Sequence, residues 1–224
     1  MILVNGDSIT YGHGLEDKQH SWPNLVFKNF KNIAQPGSSN FSIYRRSLEE
    51  LYRNKYTDIV IGWSSLFRLE IADNFSKPKN LIPYRSDTIL GKEIVKNYLG
   101  KYWYFKNSLL AVHQLNLVAR QHGVRLHCFN FATDTAEMYS VASSYAIFKK
   151  LFKLDLYSDR EIRHEFIIVQ KLIRDNLTTW SCDPVICLRD NYDKLKQYVS
   201  DVDYHPNAAG HRTIADEINN YLKI

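Results

Sequence analysis

Short runs of consecutive apolar residues alternate along this chain with longer stretches in which apolar positions recur every three or four residues. Runs of the first kind lie at 2–5 (ILVN), 32–34, 58–62 (DIVIG), 124–131 and 184–188 (PVICL), and they predict buried strands. DIVIG, β-branched and apolar almost throughout, reads as a strand covered on both faces. Stretches of the second kind lie at 22–30, 41–52, 108–122, 160–176 and 207–224 and predict helices. The first would bury Trp22, Leu25, Val26 and Phe30, with Ser21 as its cap and Pro23 in its first turn. The last spaces Ile214, Ile218 and Leu222 four apart, and Gly123 ends the third.

This alternation predicts an α/β fold: an open parallel sheet of about five strands with helices on both faces. Ligands of such sheets collect at the carboxyl ends of the strands. Gly6-Asp7-Ser8, Pro36-Gly37-Ser38 and Gly62-Trp63-Ser64-Ser65 each follow a strand directly, so they would meet at that edge. A length of 224 residues suits one domain over 1–224. Segments near 72–106 and 133–159 break the alternation, the first with Pro78, Pro83, Gly91 and Gly100. They read as insertions forming a lid or substrate wall over the edge.

Composition narrows the partners. The formal charge is +5 with Lys and Arg dispersed, which gives no footprint for nucleic acid. Cys128, Cys182 and Cys187 form no C-x-x-C pair, so a reducing compartment is expected, with Cys128 a small core residue. No stretch approaches the ~18 apolar residues of a membrane span. Met1 to Val4 runs straight into the Asn5-Gly6-Asp7-Ser8 turn, without the pattern of a signal peptide. A cytoplasmic or particle-associated protein with no membrane partner is the expectation. Aromatic residues make up 13%, fifteen of them tyrosines, which suits a surface that stacks on something flat or, equally, a tyrosine-heavy core and rim.

A serine hydroxyl such as that of Ser8 is a weak nucleophile until a neighbouring base takes its proton. Asp201-Val202-Asp203-Tyr204-His205-Pro206-Asn207 offers an acid two residues before a histidine. In an extended or turn segment these project to one side, so Asp203 could fix the His205 tautomer and stabilise the imidazolium. Pro206 stiffens the backbone and starts the last helix. A surface Asp-His pair at a helix start is the other reading of the same residues. Asp7 reads as a structural hydrogen-bonder of its turn, His211 as a packed or solvated residue, and His13 and His20 as candidates for the rim. His113, His122, His127 and His164 match no ligand spacing, so no metal is expected.

Together, Gly6-Asp7-Ser8-Ile9-Thr10, Gly37 after Asn32-Ile33-Ala34-Gln35-Pro36, and Asp203/His205 with Pro206, Asn207 and Gly210 resemble the blocks of the SGNH (GDSL-type) hydrolase superfamily, in that family's order. There is no G-x-S-x-G elbow near Ser8. The resemblance implies a flavodoxin-like three-layer α/β/α sandwich and a serine esterase without metal or organic cofactor. Ser8 would be nucleophile, His205 base and Asp203 acid, with Asp201 in reserve; Ser8, Gly37 and Ser64 would form the oxyanion hole. The family's third block is usually Gly-x-Asn-Asp, whereas this chain has Gly62-Trp63-Ser64-Ser65, putting Ser64 in the place of the Asn, with Asn40 as a nearby amide. Trp63 and the cluster Tyr102-Trp103-Tyr104-Phe105 could stack on sugar rings, and Lys77, Lys79, Arg85 and Lys92 argue against a lipid groove. An acetyl ester on carbohydrate is therefore the expected substrate, with Trp63, Asn40, Tyr102 and Trp103 as its binding residues. The alternatives are an acyltransferase and a non-catalytic glycan-binding or particle-structural protein on the same fold.

Overall fold

The computed structural model describes residues 1–66, 68–71, 79–81, 101–151, 158–183 and 186–223. The chain opens with β1 (Ile2–Asn5), the single turn α1 (Ser8–Tyr11), α2 (Trp22–Val26), β2 (Phe30–Asn32), α3 (Asn40–Arg53) and β3 (Asp58–Trp63). A small antiparallel pair follows, β4 (Leu69–Ile71) and β5 (Lys79–Leu81). The remainder is α4 (Lys101–Gln121), β6 (Arg125–Asn130), α5 (Thr133–Val141), α6 (Tyr145–Leu151), α7 (Asp159–Asn176), α8 (Arg189–Lys194) and α9 (Ala208–Leu222).

The main sheet is parallel, in the order β2-β1-β3-β6, with Ile2 opposite both Phe30 and Asp58. Strand period two then sorts the core. Leu3, Ile59, Ile61, Leu126 and Cys128 point to one face, against Ile43 and Leu51 of α3, Leu109 and Leu115 of α4 and Val169 of α7. Val4, Val60 and Phe129 point to the other, against Trp22 of α2, Tyr192 of α8 and Ile214 and Ile218 of α9. The result is the expected α/β/α layering. Side chains such as Leu115, fully buried, each contribute about 1.5–3 kcal/mol by leaving water.

The structure amends several expectations. The sheet has four strands among the described residues; the region expected to supply a fifth, 184–188, contributes an isolated parallel bridge between Cys187 and Asn130, with Pro184 and Val185 outside the described residues. The helix expected over 22–30 ends at Val26, and Phe30 opens β2 instead. Pairing decides this: Ile2 N donates to Asn29 O and β1 draws the chain into the sheet, overriding the helical spacing. α4 begins at Lys101, seven residues before the expected 108, so the aromatic cluster lies on a helix. Most of segment 72–106, including Lys77, Arg85 and Lys92, lies outside the described residues. Within 133–159, α5, α6 and the turn between them bury Tyr139, Phe148 and Ala142 in the core shared with Phe105 and Trp180. No described helix is long and apolar enough to cross a membrane.

Candidate active site

β1 delivers its carboxyl end directly to Ser8. Asp7 caps α1, its Oδ1 accepting from Ile9 N at 3.0 Å, and Gly12 closes the turn in the left-handed region at φ +79°. The turn sits unusually close to β3. A Cβ on Gly6 would lie 2.2 Å from Thr10 Oγ1, and one on Gly62 would meet the Phe131 ring at 2.4 Å. Neither position accepts a side chain without displacing its neighbours. Beside this turn runs the one after β2, tied to it by Gln35 N donating to Gly6 O. There Gly37 stands at φ +76°, a conformation that favours glycine. The N–H groups of Ser8 and Gly37 donate to nothing among the described residues. A buried asparagine and a half-buried arginine brace the pair of turns from behind. Asn5 Nδ2 donates to Ile43 O and Ser47 Oγ, pinning α3 to β1, and Arg46 Nη2 donates to Ser38 Oγ at 2.7 Å and to Asn5 Oδ1 at 3.3 Å.

His205 arrives on the loop between α8 and α9. Val199 N donates to His205 O and Asn207 N to Gln197 O, and Asn207 then caps α9 by accepting from Gly210 N. Asp203 Oδ1 lies 2.5 Å from His205 Nδ1 and accepts from His205 N at 3.1 Å. An ionised carboxylate only accepts, so Nδ1 carries the imidazole proton and Nε2 offers its lone pair. That nitrogen is 2.9 Å from Ser8 Oγ. The same bonds, the side-chain one first, hold the Asp203 carboxyl below the usual range. Asp201 is exposed and makes no hydrogen bond among the described residues. His13 packs its ring edgewise on His205, centroids 4.7 Å apart. Ligand atoms of His13, Asp203 and His205 fall within 4.8 Å of one another, but both nitrogens of His205 are already engaged by Asp203 and Ser8. Such a series can polarise a serine hydroxyl towards the histidine nitrogen. It opens into a cleft of about 530 Å³, lined also by Arg68, Thr133, Glu137, Arg189 and Tyr204.

No family model matches the sequence, and no curated protein matches it either. Solved structures do. The psychrotrophic esterase EstA from Pseudoalteromonas sp. superposes with a TM-score of 0.55 at 11% identity, covering 99% of this chain and 96% of that one. A variant of Axe2, an acetyl-xylooligosaccharide esterase from Geobacillus, gives 0.53 at 12%, covering 100% and 94%. A member of the lipolytic G-D-S-L family from Veillonella parvula gives 0.50 at 14%, covering 98% and 96%. The chain has the GDSL-type (SGNH) hydrolase fold. At these identities the likeness is one of fold, and the chemistry has to be argued from the residues.

Within the GDSL-type fold, the remaining expected site residues separate into those near Ser8 and those elsewhere. Ser64 is fully buried and donates its hydroxyl proton to Asp7 Oδ2 at 2.7 Å. A hydroxyl has one proton to give, so Ser64 does not aim a donor at the oxyanion; the expectation that it replaces the Asn is corrected. Asn40 belongs to the same network, accepting from Ser64 N at 2.8 Å and donating one of its two amide protons to Ser108 Oγ at 3.2 Å. Trp63, 1% exposed, is a core residue that cannot stack on a ligand, because strand alternation turns it inward with Ile59 and Ile61. Trp103 is the exposed member of the four tryptophans; it lines a second cavity of about 280 Å³ with Phe41, Asn107 and Arg68. Tyr102 lies in the first turn of α4, and its side chain is outside the described residues. His211 is wholly buried, accepting from Trp22 N, whereas His20 is solvent-facing. Arg46 and Arg68 went unforeseen. No local pattern marks them, since each acts on residues that are remote in sequence; the position of Arg68, just past the third strand-end turn, is the one available sign.

Proposed function

We propose that this chain is a serine esterase acting on a small acyl ester, with Ser8, His205 and Asp203 as its triad. The observation that carries this is the unbroken series Asp203 Oδ1, His205 Nδ1, His205 Nε2, Ser8 Oγ, which opens into the cleft, while the N–H groups of Ser8 and of Gly37 in the adjoining turn are unpartnered among the described residues. In this reading Ser8 Oγ attacks the ester carbonyl as its proton passes to His205 Nε2. The tetrahedral oxyanion is held by the N–H groups of Ser8 and Gly37. His205 returns the proton to the departing alcohol, and a water deprotonated by the same nitrogen releases the acid and frees Ser8. Asp203 keeps the proton on Nδ1 throughout and balances the transient imidazolium.

An acetyl group on carbohydrate is the substrate we favour. The exposed Trp103 beside the cavity that meets the cleft at Arg68 offers an aromatic platform, and one structural neighbour is an acetyl-xylooligosaccharide esterase. The test is hydrolysis of a small acetyl ester by wild type and Ser8→Ala, followed by comparison of acetylated xylooligosaccharide with long-chain esters. A loss on the order of 10⁶-fold in kcat on removing the nucleophile is expected. Equal hydrolysis by both proteins would overturn the triad, and a preference for long chains would overturn the carbohydrate.

A further inference from the structure

The oxyanion that forms on Ser8 would meet two neutral N–H donors, while a cation stands directly against the turns that supply them. Arg68 Nη1 lies 3.1 Å from Asp7 Oδ2 and donates to Ser38 O at 3.3 Å. Asp7 precedes Ser8 and Ser38 follows Gly37, so the guanidinium bridges the two turns that carry the unpartnered N–H groups. Its Nε is buried without a partner, and Nη2 makes no hydrogen bond among the described residues. The side chain is only 17% exposed and lines the cleft together with Ser8 and His205. Asp7 is not held by Arg68 alone, because Ile9 N and Ser64 Oγ also donate to its carboxylate. The guanidinium is thus fixed through Nη1, with Nε buried and Nη2 unspent.

We infer that Arg68 is a catalytic residue, its Nη2 donating to the oxyanion of the tetrahedral intermediate as a third, charged partner beside Ser8 N and Gly37 N. This rests on the esterase reading. A guanidinium presents its donors in a rigid planar fork and brings a full positive charge to the developing oxyanion. The ground-state carbonyl bears little charge and gains little from it. The benefit therefore falls on kcat rather than on KM. Ser64 acts one step back, by orienting Asp7, which in turn orients Arg68.

The experiment compares wild type, Arg68→Met, Arg68→Lys, Arg68→Gly and Asp7→Asn, by kcat and KM on a small acetyl ester, Tm, and rate of covalent labelling by a fluorophosphonate. Arg68→Met should lose about 10²–10³-fold in kcat with KM changed less than about threefold. Arg68→Lys should recover part of that loss, and millimolar guanidinium ion should restore activity to Arg68→Gly where equimolar ammonium does not. Retention of kcat by Arg68→Met would overturn the inference while leaving the esterase intact. So would a loss matched by Asp7→Asn and unresponsive to guanidinium, which would make Arg68 a brace for the Ser8 turn. Wild type that neither hydrolyses the ester nor accepts the fluorophosphonate would overturn the esterase reading itself, and the role of Arg68 with it.

Discussion

Ser8 is held from behind by the sheet, whereas His205 is held from the side by its own loop. The Ser8 turn continues β1, is itself buried, and leaves no room for a Cβ at Gly6 or Gly62. The His205 loop depends on a few backbone bonds at its base, and its tip is open to water, with Val202 91% exposed. Positioning by the core couples a residue's geometry to the stability of the whole domain. Positioning by a loop leaves the two separable. Substitutions in the second region should therefore change chemistry without unfolding the protein, and substitutions in the first should change both.

The largest separation is expected at the acid. Asp203→Asn should cut kcat by about 10⁴-fold, by favouring the wrong tautomer of His205, and leave Tm nearly unchanged. Asp201→Asn, on the same exposed loop, should leave kcat at the wild-type value; a comparable loss there would reassign the acid. Gly62→Ala tests the other region. Its new methyl meets Phe131 and Thr10 at once, and a destabilisation of about 1–3 kcal/mol by urea unfolding is expected, with activity falling alongside. An unchanged urea midpoint would refute the claim of tight packing behind Ser8.

The last test concerns His211, which is wholly buried and accepts from Trp22 N. Burial first, then the charges of Lys18 and His205, push its pKa down to about 3. The folded-state value is below that of the unfolded chain, ~6.5. Its contribution to stability is therefore complete above that pH and is lost as pH falls towards the folded value. Between roughly pH 6.5 and 3 the unfolded chain binds one more proton, so His211 contributes a slope of about 1.4 kcal/mol per pH unit. His211→Asn should flatten the pH dependence of unfolding in that window; an unaltered slope would show that His211 titrates normally.

How much of this was visible beforehand follows the range of each interaction. β1, β3 and β6 were marked by their own apolar runs, and Ser8, Asp203 and His205 by short blocks, because each depends on neighbouring residues. The end of α2 was misjudged because Phe30 obeys its partner strand rather than its own helical spacing. Trp63 reads as a sugar-stacking residue because its position beside Ser64 is explicit in the sequence, while the facing of its side chain depends on where β3 stops. Ser64 was credited with a free hydroxyl because its acceptor, Asp7, is 57 residues away. Polar residues are the hardest to place in this way, since a donor can be spent on any acceptor that the fold brings near.

The bond between Ser8 Oγ and His205 Nε2 joins positions 197 residues apart. It is among the longest-range contacts the chain can make, and α9, which follows His205 directly, packs on α2 near the other end of the sequence. A chain that has folded only its first strands and helices possesses the serine but not its base. Turnover would therefore begin only with the last step of assembly and vanish with the first opening of the carboxyl-terminal helix. Catalysis would then serve as a clock for complete folding, running ahead of any signal from the bulk of the secondary structure.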